Sequence, residues 1–341
     1  MGKYHFCNLI FEGGGVKGIA YVGALEELEK RQILGSVTRV GGASVGAINA
    51  VLMGLNFKID EIKSILWGLN FRNFLDDSFG VIRDTERLLT EFGWYKGDFF
   101  RNWIGELIRE KTGNSEATFA DVKALKEKKG FRDIYLIGTN LSTHFSEVFS
   151  KEHTPRMCVA EAARISMSLP LVFRAMRDFR DDVYVDGGVL RNYPIKLFDR
   201  EKYVSGTLAR KTEYYERINR KIAKIERPIS RYVYNKQTLG FRLDQREEIS
   251  MFRDHAEPKH HEIKDFFDYL FNLIVTMKDA QENSHLHSDD WQRTIYIDTL
   301  GVGTTEFDIT DEKKKELVAS GRKGVIDYFK WYDRVKRAAN K

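Results

Sequence analysis

Two glycine-rich turns constrain this chain more than any other feature, because each lies between a short apolar run and a stretch of helical periodicity. The first, Gly13-Gly14-Gly15-Val16-Lys17-Gly18, follows His5-Phe6-Cys7-Asn8-Leu9-Ile10-Phe11. A short apolar run bounded by glycine predicts a buried parallel strand. Beyond the turn, Ile19, Val22, Leu25 and Leu28 recur at helical spacing between Val16 and Gln32, with charges on the other side, which predicts a helix. The second turn, Gly42-Ala43-Ser44-Val45-Gly46, separates a predicted strand over Ser36–Val40 from a predicted helix over Val45–Leu55. Strands that hand over to helices in this way imply an α/β fold.

Consecutive glycines at a helix N-terminus leave N–H groups uncovered where the helix carries partial positive charge, so an anion or an oxyanion is the natural guest. Gly-x-Gly-x-x-Gly after a strand is also the dinucleotide fingerprint, which needs an acidic residue at the end of the second strand. Here that strand runs straight into Gly41-Gly42-Ala43-Ser44. The phosphate-loop pattern is absent too, because Gly18 is followed by Ile19 and Ala20. Ser44 reads either as a small turn residue or as a nucleophile exposed on a strand–turn–helix elbow made with Gly42, Ala43, Val45 and Gly46. Taken with the glycine loop, the nucleophile reading is preferred. Val183-Tyr184-Val185 is a β-type run that ends in Asp186-Gly187-Gly188. Alone that tripeptide reads as a turn; beside a nucleophile it supplies a carboxylate. These residues point to a serine acyl hydrolase.

Phe11-Glu12-Gly13-Gly14-Gly15-Val16-Lys17-Gly18, then Gly42-Ala43-Ser44-Val45-Gly46, then Asp186-Gly187-Gly188 resemble, in the same order, the three motifs of the patatin-like phospholipases. Ser168-Leu169-Pro170-Leu171-Val172-Phe173 and Asn192-Tyr193-Pro194 are similar to segments usual in bacterial members. The resemblance implies a three-layer α/β fold with a mainly parallel central sheet flanked by helices. It implies Ser44 as nucleophile, Asp186 as proton acceptor and an oxyanion hole drawn from Gly13, Gly14, Gly15, Val16, Lys17 and Gly18. It also implies cleavage of acyl esters in phospholipids, lysophospholipids or neutral lipids, with no metal and no cofactor. Glu12 is a departure, since many members carry Asp there. Two other readings keep the same fold: an effector gated by a partner or ligand, and an acyltransferase using the same serine.

A histidine triad is the competing mechanism, because His255, His260, His261, His285 and His287 all follow Asp186, giving the chain order of the α/β-hydrolases. Those enzymes place the elbow after several strands, whereas Ser44 follows the second, and the histidines sit in polar stretches that read as solvated loops. Only two cysteines, Cys7 and Cys158, are present, which argues against a disulfide framework. No opening segment resembles a signal peptide, and no run approaches the roughly 18 apolar residues of a spanning helix. Met1-Gly2 is followed by Phe6 where myristoylation needs Ser or Thr. The expected setting is cytoplasmic, with a peripheral membrane surface and its lipid as partners and no nucleic acid. The net charge of +5 favours anionic surfaces only mildly.

The expected organisation is a catalytic domain over residues 1–310 and a C-terminal helix over 311–341 packed on the core. Inside the domain, 56–130 reads as a helical insertion and 206–290 as a variable, charged segment. Further strands are expected at Ile134–Asn140, His144–Ser150 and Thr294–Leu300. Phe92, Trp94, Tyr95, Phe99, Phe100 and Trp103 are candidates for a lid or an acyl-chain pocket, or for ordinary core. Between Thr207 and Arg227, Tyr214, Ile218, Ile222 and Ile225 fall at helical spacing among Arg217, Arg220, Lys221 and Lys224. That segment reads as an interfacial helix or as a surface helix packed on the core.

Overall fold

The computed structural model describes residues 4–74, 90–204, 206–223, 230–244 and 289–341 except 305 and 307, together with 263, 269, 272, 273 and 276. The expectations for His255, His260, His261, His285 and His287, and for Lys224 and Ile225, fall outside these residues. In chain order, β1 (Asn8–Phe11) leads through a 3-10 turn at Gly15–Ile19 to α1 (Ala20–Lys30), and β2 (Arg39–Gly42) leads to α2 (Val45–Gly54) and α3 (Ile59–Gly68). Next come β3 (Gly93–Tyr95), α4 (Asp98–Thr112), α5 (Phe119–Lys129), the long β4 (Asp133–Asn140) and β5 (Phe145–Ser150). Then follow α6 (Val159–Ser166), β6 (Leu171–Phe173), β7 (Met176–Arg177), β8 (Val183–Asp186) and the short α7 (Gly188–Arg191). The last are β9 (Ala209–Arg210), α8 (Glu213–Ile222), β10 (Tyr234–Asn235), β11 (Thr238–Asp244), β12 (Thr294–Asp298) and α9 (Asp311–Arg334).

The main sheet runs β12-β11-β1-β2-β4 with every neighbour parallel. β5 lies antiparallel along one edge of β4. The opposite edge of β4 is shared. β2 occupies its first half, with Gly42 opposite Leu136, and β8 enters antiparallel on the second half, with Asp186 opposite Gly138. The C-terminal ends of β2 and β8 therefore converge at Ile137. Alternation along the strands decides the two faces. Leu9, Phe11, Val40 and Leu136 join the large core beneath α1, α2 and α9, while Ile10 and Tyr135 meet Tyr193, Ile195 and Phe198 on the other face.

Several boundaries differ from those expected. The second strand is Arg39–Gly42 and not Ser36–Val40, because Leu34–Ser36 form a 3-10 turn in which Ser36 Oγ donates to Phe6 O and Ile33 O at 2.8 Å. The first helix starts at Ala20, after the 3-10 turn that carries Val16. β12 stops at Asp298, since Leu300 and Gly301 turn through φ 54° and 75°. In the 92–103 aromatic run, Phe100 is buried and Trp103 half-buried, 5.0 and 5.7 Å from Phe74, whereas Phe92 and Phe99 stay exposed. The expected stripe on α8 is split: the buried residues are Tyr215, stacked on Tyr232, and Asn219, which bonds both ways to the Tyr232 backbone at 2.8 Å. Ile218 packs beside them, Tyr214 remains exposed, and Arg217, Arg220 and Lys221 face solvent.

Candidate active site

At the C-terminal end of β1 the chain enters the glycine loop. Gly15 has φ 57°, and a β-carbon there would strike the Thr304 carbonyl, so the position requires glycine. Gly13 N donates to Asn192 O at 3.3 Å, Val16 N to Thr304 O at 3.4 Å and Lys17 N to Gly14 O at 3.3 Å. Among the described residues neither Gly14 N nor Gly15 N has a hydrogen-bond acceptor. Gly18 lies inside the 3-10 turn, directly against the Val45 side chain.

Ser44 occupies the elbow between β2 and α2 with φ 53° and ψ −129°. This backbone is costly for a residue with a β-carbon. The turn is held from behind, because Ser44 N donates to Ser166 O and also lies 3.1 Å from Ser166 Oγ. Its own Oγ points towards Met167 Sδ at 3.7 Å. Gly42 and Gly46 let the elbow close: a β-carbon on Gly42 would meet the Gly46 backbone, and one on Gly46 would meet the Phe11 and Glu12 carbonyls. Ala43 and Val45 are buried.

Asp186, at the end of β8, is buried; its N–H donates to Ser168 O at 2.8 Å and its Oδ1 accepts from Gly188 N at 2.5 Å. Gly187 sits against the backbone of Ile137, the residue at which β2 and β8 converge. Ser166, Met167 and Ser168 thus form a bridge that holds Ser44 at one end and Asp186 at the other. The bridge is itself pinned by the fully buried Arg164, which donates to Ser168 Oγ and to the carbonyls of Lys96 and Arg174.

Segments 168–173 and 192–194 stand out in the sequence, but nothing local to them assigns either a role. Asn192 Nδ2 donates to Gly13 O at 3.1 Å and to Glu12 Oε1 at 3.2 Å, locking the glycine loop to the segment after Asp186. Glu12 is buried, accepts from Leu243 N through Oε2 at 2.6 Å and lies 3.8 Å from Arg242 Nε. The longer Glu side chain therefore spans from the loop to the end of β11. A buried carboxylate needs such partners, so an acidic residue inside an apolar run was the available signal. Of the described histidines, His153 bonds to Ser150 Oγ at 2.8 Å. Ser150 pairs with Tyr135 on the edge of β4 opposite to the one that β2 and β8 share.

The family model described as Patatin-like phospholipase matches residues 9–199. This chain belongs to the patatin-like phospholipase family. The patatin-like chain is 28% identical over 322 residues to protein R571 of Acanthamoeba polyphaga mimivirus, covering 93% of this chain and 92% of that one. It is 24% identical over 193 residues to the probable lipid hydrolase 463L of Invertebrate iridescent virus 6, covering 57% of this chain and 63% of the relative. Among solved structures, VipD from Legionella pneumophila superposes with a TM-score of 0.62 at 18% identity, over 96% of this chain and 67% of that one. That likeness is one of fold.

Proposed function

We propose that this chain is a lipid acyl hydrolase of the phospholipase A or lysophospholipase type, working through a Ser44–Asp186 dyad and an acyl-enzyme. The observation that carries the reading is the convergence of β2 and β8 on one edge of β4, with Ser44 and Asp186 held by opposite ends of the 166–168 bridge. Asp186 takes the proton of Ser44 Oγ as that oxygen bonds to the ester carbonyl carbon. The carbonyl oxygen becomes an oxyanion and receives the N–H groups of Gly14 and Gly15, each such donor being worth roughly 3 kcal/mol. Val16 joins them once Thr304 releases its N–H. The proton then passes from Asp186 to the leaving alcohol as the carbon–oxygen bond breaks. A water gives a proton to Asp186, attacks the acyl carbon and releases the fatty acid, and Ser44 recovers its proton. No helix among the described residues is long and apolar enough to cross a membrane, and the reaction asks only for contact with a lipid surface.

A fluorogenic short-chain ester tests the reading. Ser44→Ala should remove turnover while changing stability by less than about 1 kcal/mol. Asp186→Asn should lower kcat by orders of magnitude. An active Ser44→Ala protein, verified by mass, would overturn the assignment. A folded alanine variant of His255, His260, His261, His285 or His287 as inactive as Asp186→Asn would replace the dyad by a triad.

A further inference from the structure

A cavity of 330 Å³ lies beside the glycine loop and the elbow. Its deep wall is apolar and buried, built from Val16, Ile19, Val45, Leu66 and Leu69. Val16 follows Gly15 and Val45 follows Ser44, so the deep wall is built in part by the chain neighbours of an oxyanion donor and of the nucleophile of the proposed dyad. The outer end is different. Asn70 and Asp308 are exposed there, and Lys314 lines the cavity beside them. A pocket that is apolar at its deep end and polar at the solvent end suits a flexible hydrocarbon attached to an ester carbonyl.

We propose that this cavity holds the acyl chain of the substrate ester and that Leu66, in the last turn of α3, and Leu69, the extended residue just past its end, set the chain length accepted. The inference rests on the Ser44 reading for the position of the carbonyl. With about 30 Å³ for each water-sized group, the cavity is filled by roughly ten methylenes. Esters of medium-chain acids therefore fit, and longer chains carry their methyl end out to Asn70 and Asp308. While the cavity is being filled, each added carbon should raise kcat/KM roughly fourfold; past its capacity the gain stops. This moves the acyl pocket from the 92–103 aromatics to α3 and the segment before α9.

The test uses the whole chain and p-nitrophenyl esters from acetate to palmitate. Wild-type kcat/KM should rise up to a medium-chain ester and level off beyond it. Leu66→Trp, which fills the deep end, should lower the decanoate-to-butyrate ratio of kcat/KM by at least about tenfold. Leu69→Ala should raise the palmitate-to-decanoate ratio, and serves if the tryptophan variant fails to fold. A second arm needs no turnover: Ser44→Ala protein should bind a dansyl-labelled undecanoic acid saturably, and adding Leu66→Trp should abolish that binding. If wild type hydrolyses no ester but the probe binds and Leu66→Trp removes it, the dyad reading fails and the acyl cavity stands. If folded Leu66→Trp and Leu69→Ala proteins keep the wild-type chain-length profile and probe binding, the cavity inference is overturned and the dyad reading stands.

Discussion

Ser44 carries the backbone strain of the site. A non-glycine residue at φ 53° and ψ −129° costs about 1–3 kcal/mol, and it persists because Ser166 fixes its N–H from behind. That support depends on Arg164, whose guanidinium satisfies the Lys96 and Arg174 carbonyls and Ser168 Oγ inside the core. Arg164→Met keeps the bulk but leaves those acceptors unpaired, at about 1–3 kcal/mol for each one that finds no water. The expected result is a lower melting temperature and, below it, a reduced kcat on a soluble ester with KM little changed. Glu152 makes a separate prediction, about pH. Burial pushes its carboxyl up, but hydrogen bonds from Lys202, Tyr135 and Tyr203 outweigh burial and hold it below the ordinary value. A depressed carboxylate contributes stability fully above its unfolded pKa, about 4.3, and loses it as pH falls through the folded value. Glu152→Gln should therefore lower stability at neutral pH and flatten the acid limb of a urea-denaturation series below about pH 4.

At the scale of elements, α1 and α9 cross with their backbones in contact. A β-carbon on Gly23 would run into the Val318 carbonyl, and one on Gly321 into the Ala20 carbonyl. The two backbones touch through this pair, and Arg322 adds an ion pair to Glu26 at the same crossing. Gly321→Ala should cost about 1–3 kcal/mol, since the obstacle is backbone that cannot rotate away. Gly35, with nothing within 4 Å of a built β-carbon and no left-handed φ, is the control. Gly35→Ala should be neutral or stabilising by about 0.4–1 kcal/mol. Thermal melts of the two variants check both signs.

Across the whole molecule, one buried ionic cluster ties together regions far apart in the chain. Arg293, fully buried before β12, donates to Asp199 at 2.7 and 2.6 Å and to Asp290 at 3.1 and 2.6 Å. Tyr215 on α8 also donates to Asp199, and Asn235 N does so at 3.2 Å. The segment after Asp186, α8, β10 and β12 therefore share one electrostatic anchor. Removing one partner of a buried pair leaves charge uncompensated, at about 3–5 kcal/mol, so Arg293→Met should lower the unfolding free energy by that amount and move the urea midpoint down by that loss divided by the m-value. The anchor lies on other elements than the elbow and its bridge, so kcat on a soluble ester should hold wherever the variant remains folded. A loss of activity with no loss of stability would mean that the cluster acts on the site directly.

The α/β class, the strand–turn–helix elbow at Ser44, the glycine turn after β1 and the strand that ends at Asp186 could be read from the chain, because each depends on local pattern. Apolar periodicity tells strand from helix, and glycine between the two marks a turn that L side chains resist. Boundaries were less legible: Ser36–Val40 looks like a strand, yet the Ser36 hydroxyl bonds with Phe6 O and Ile33 O and delays the ladder to Arg39. The partners of Ser44 and Asp186 were beyond local reading, since Ser166, Ser168, Arg164, Asn192 and Leu243 come to the site from distant segments. The apolar side of α8 depends on distant residues in the same way. Its sequence suggests Tyr214, but Tyr232 and Asp199 select Tyr215. Local pattern by itself determined that a serine would stand on an elbow beside a glycine loop. Only the tertiary structure decided that β2 and β8 end on the same edge of β4, because strand order is set by long-range packing and hydrogen bonding that no window of residues contains.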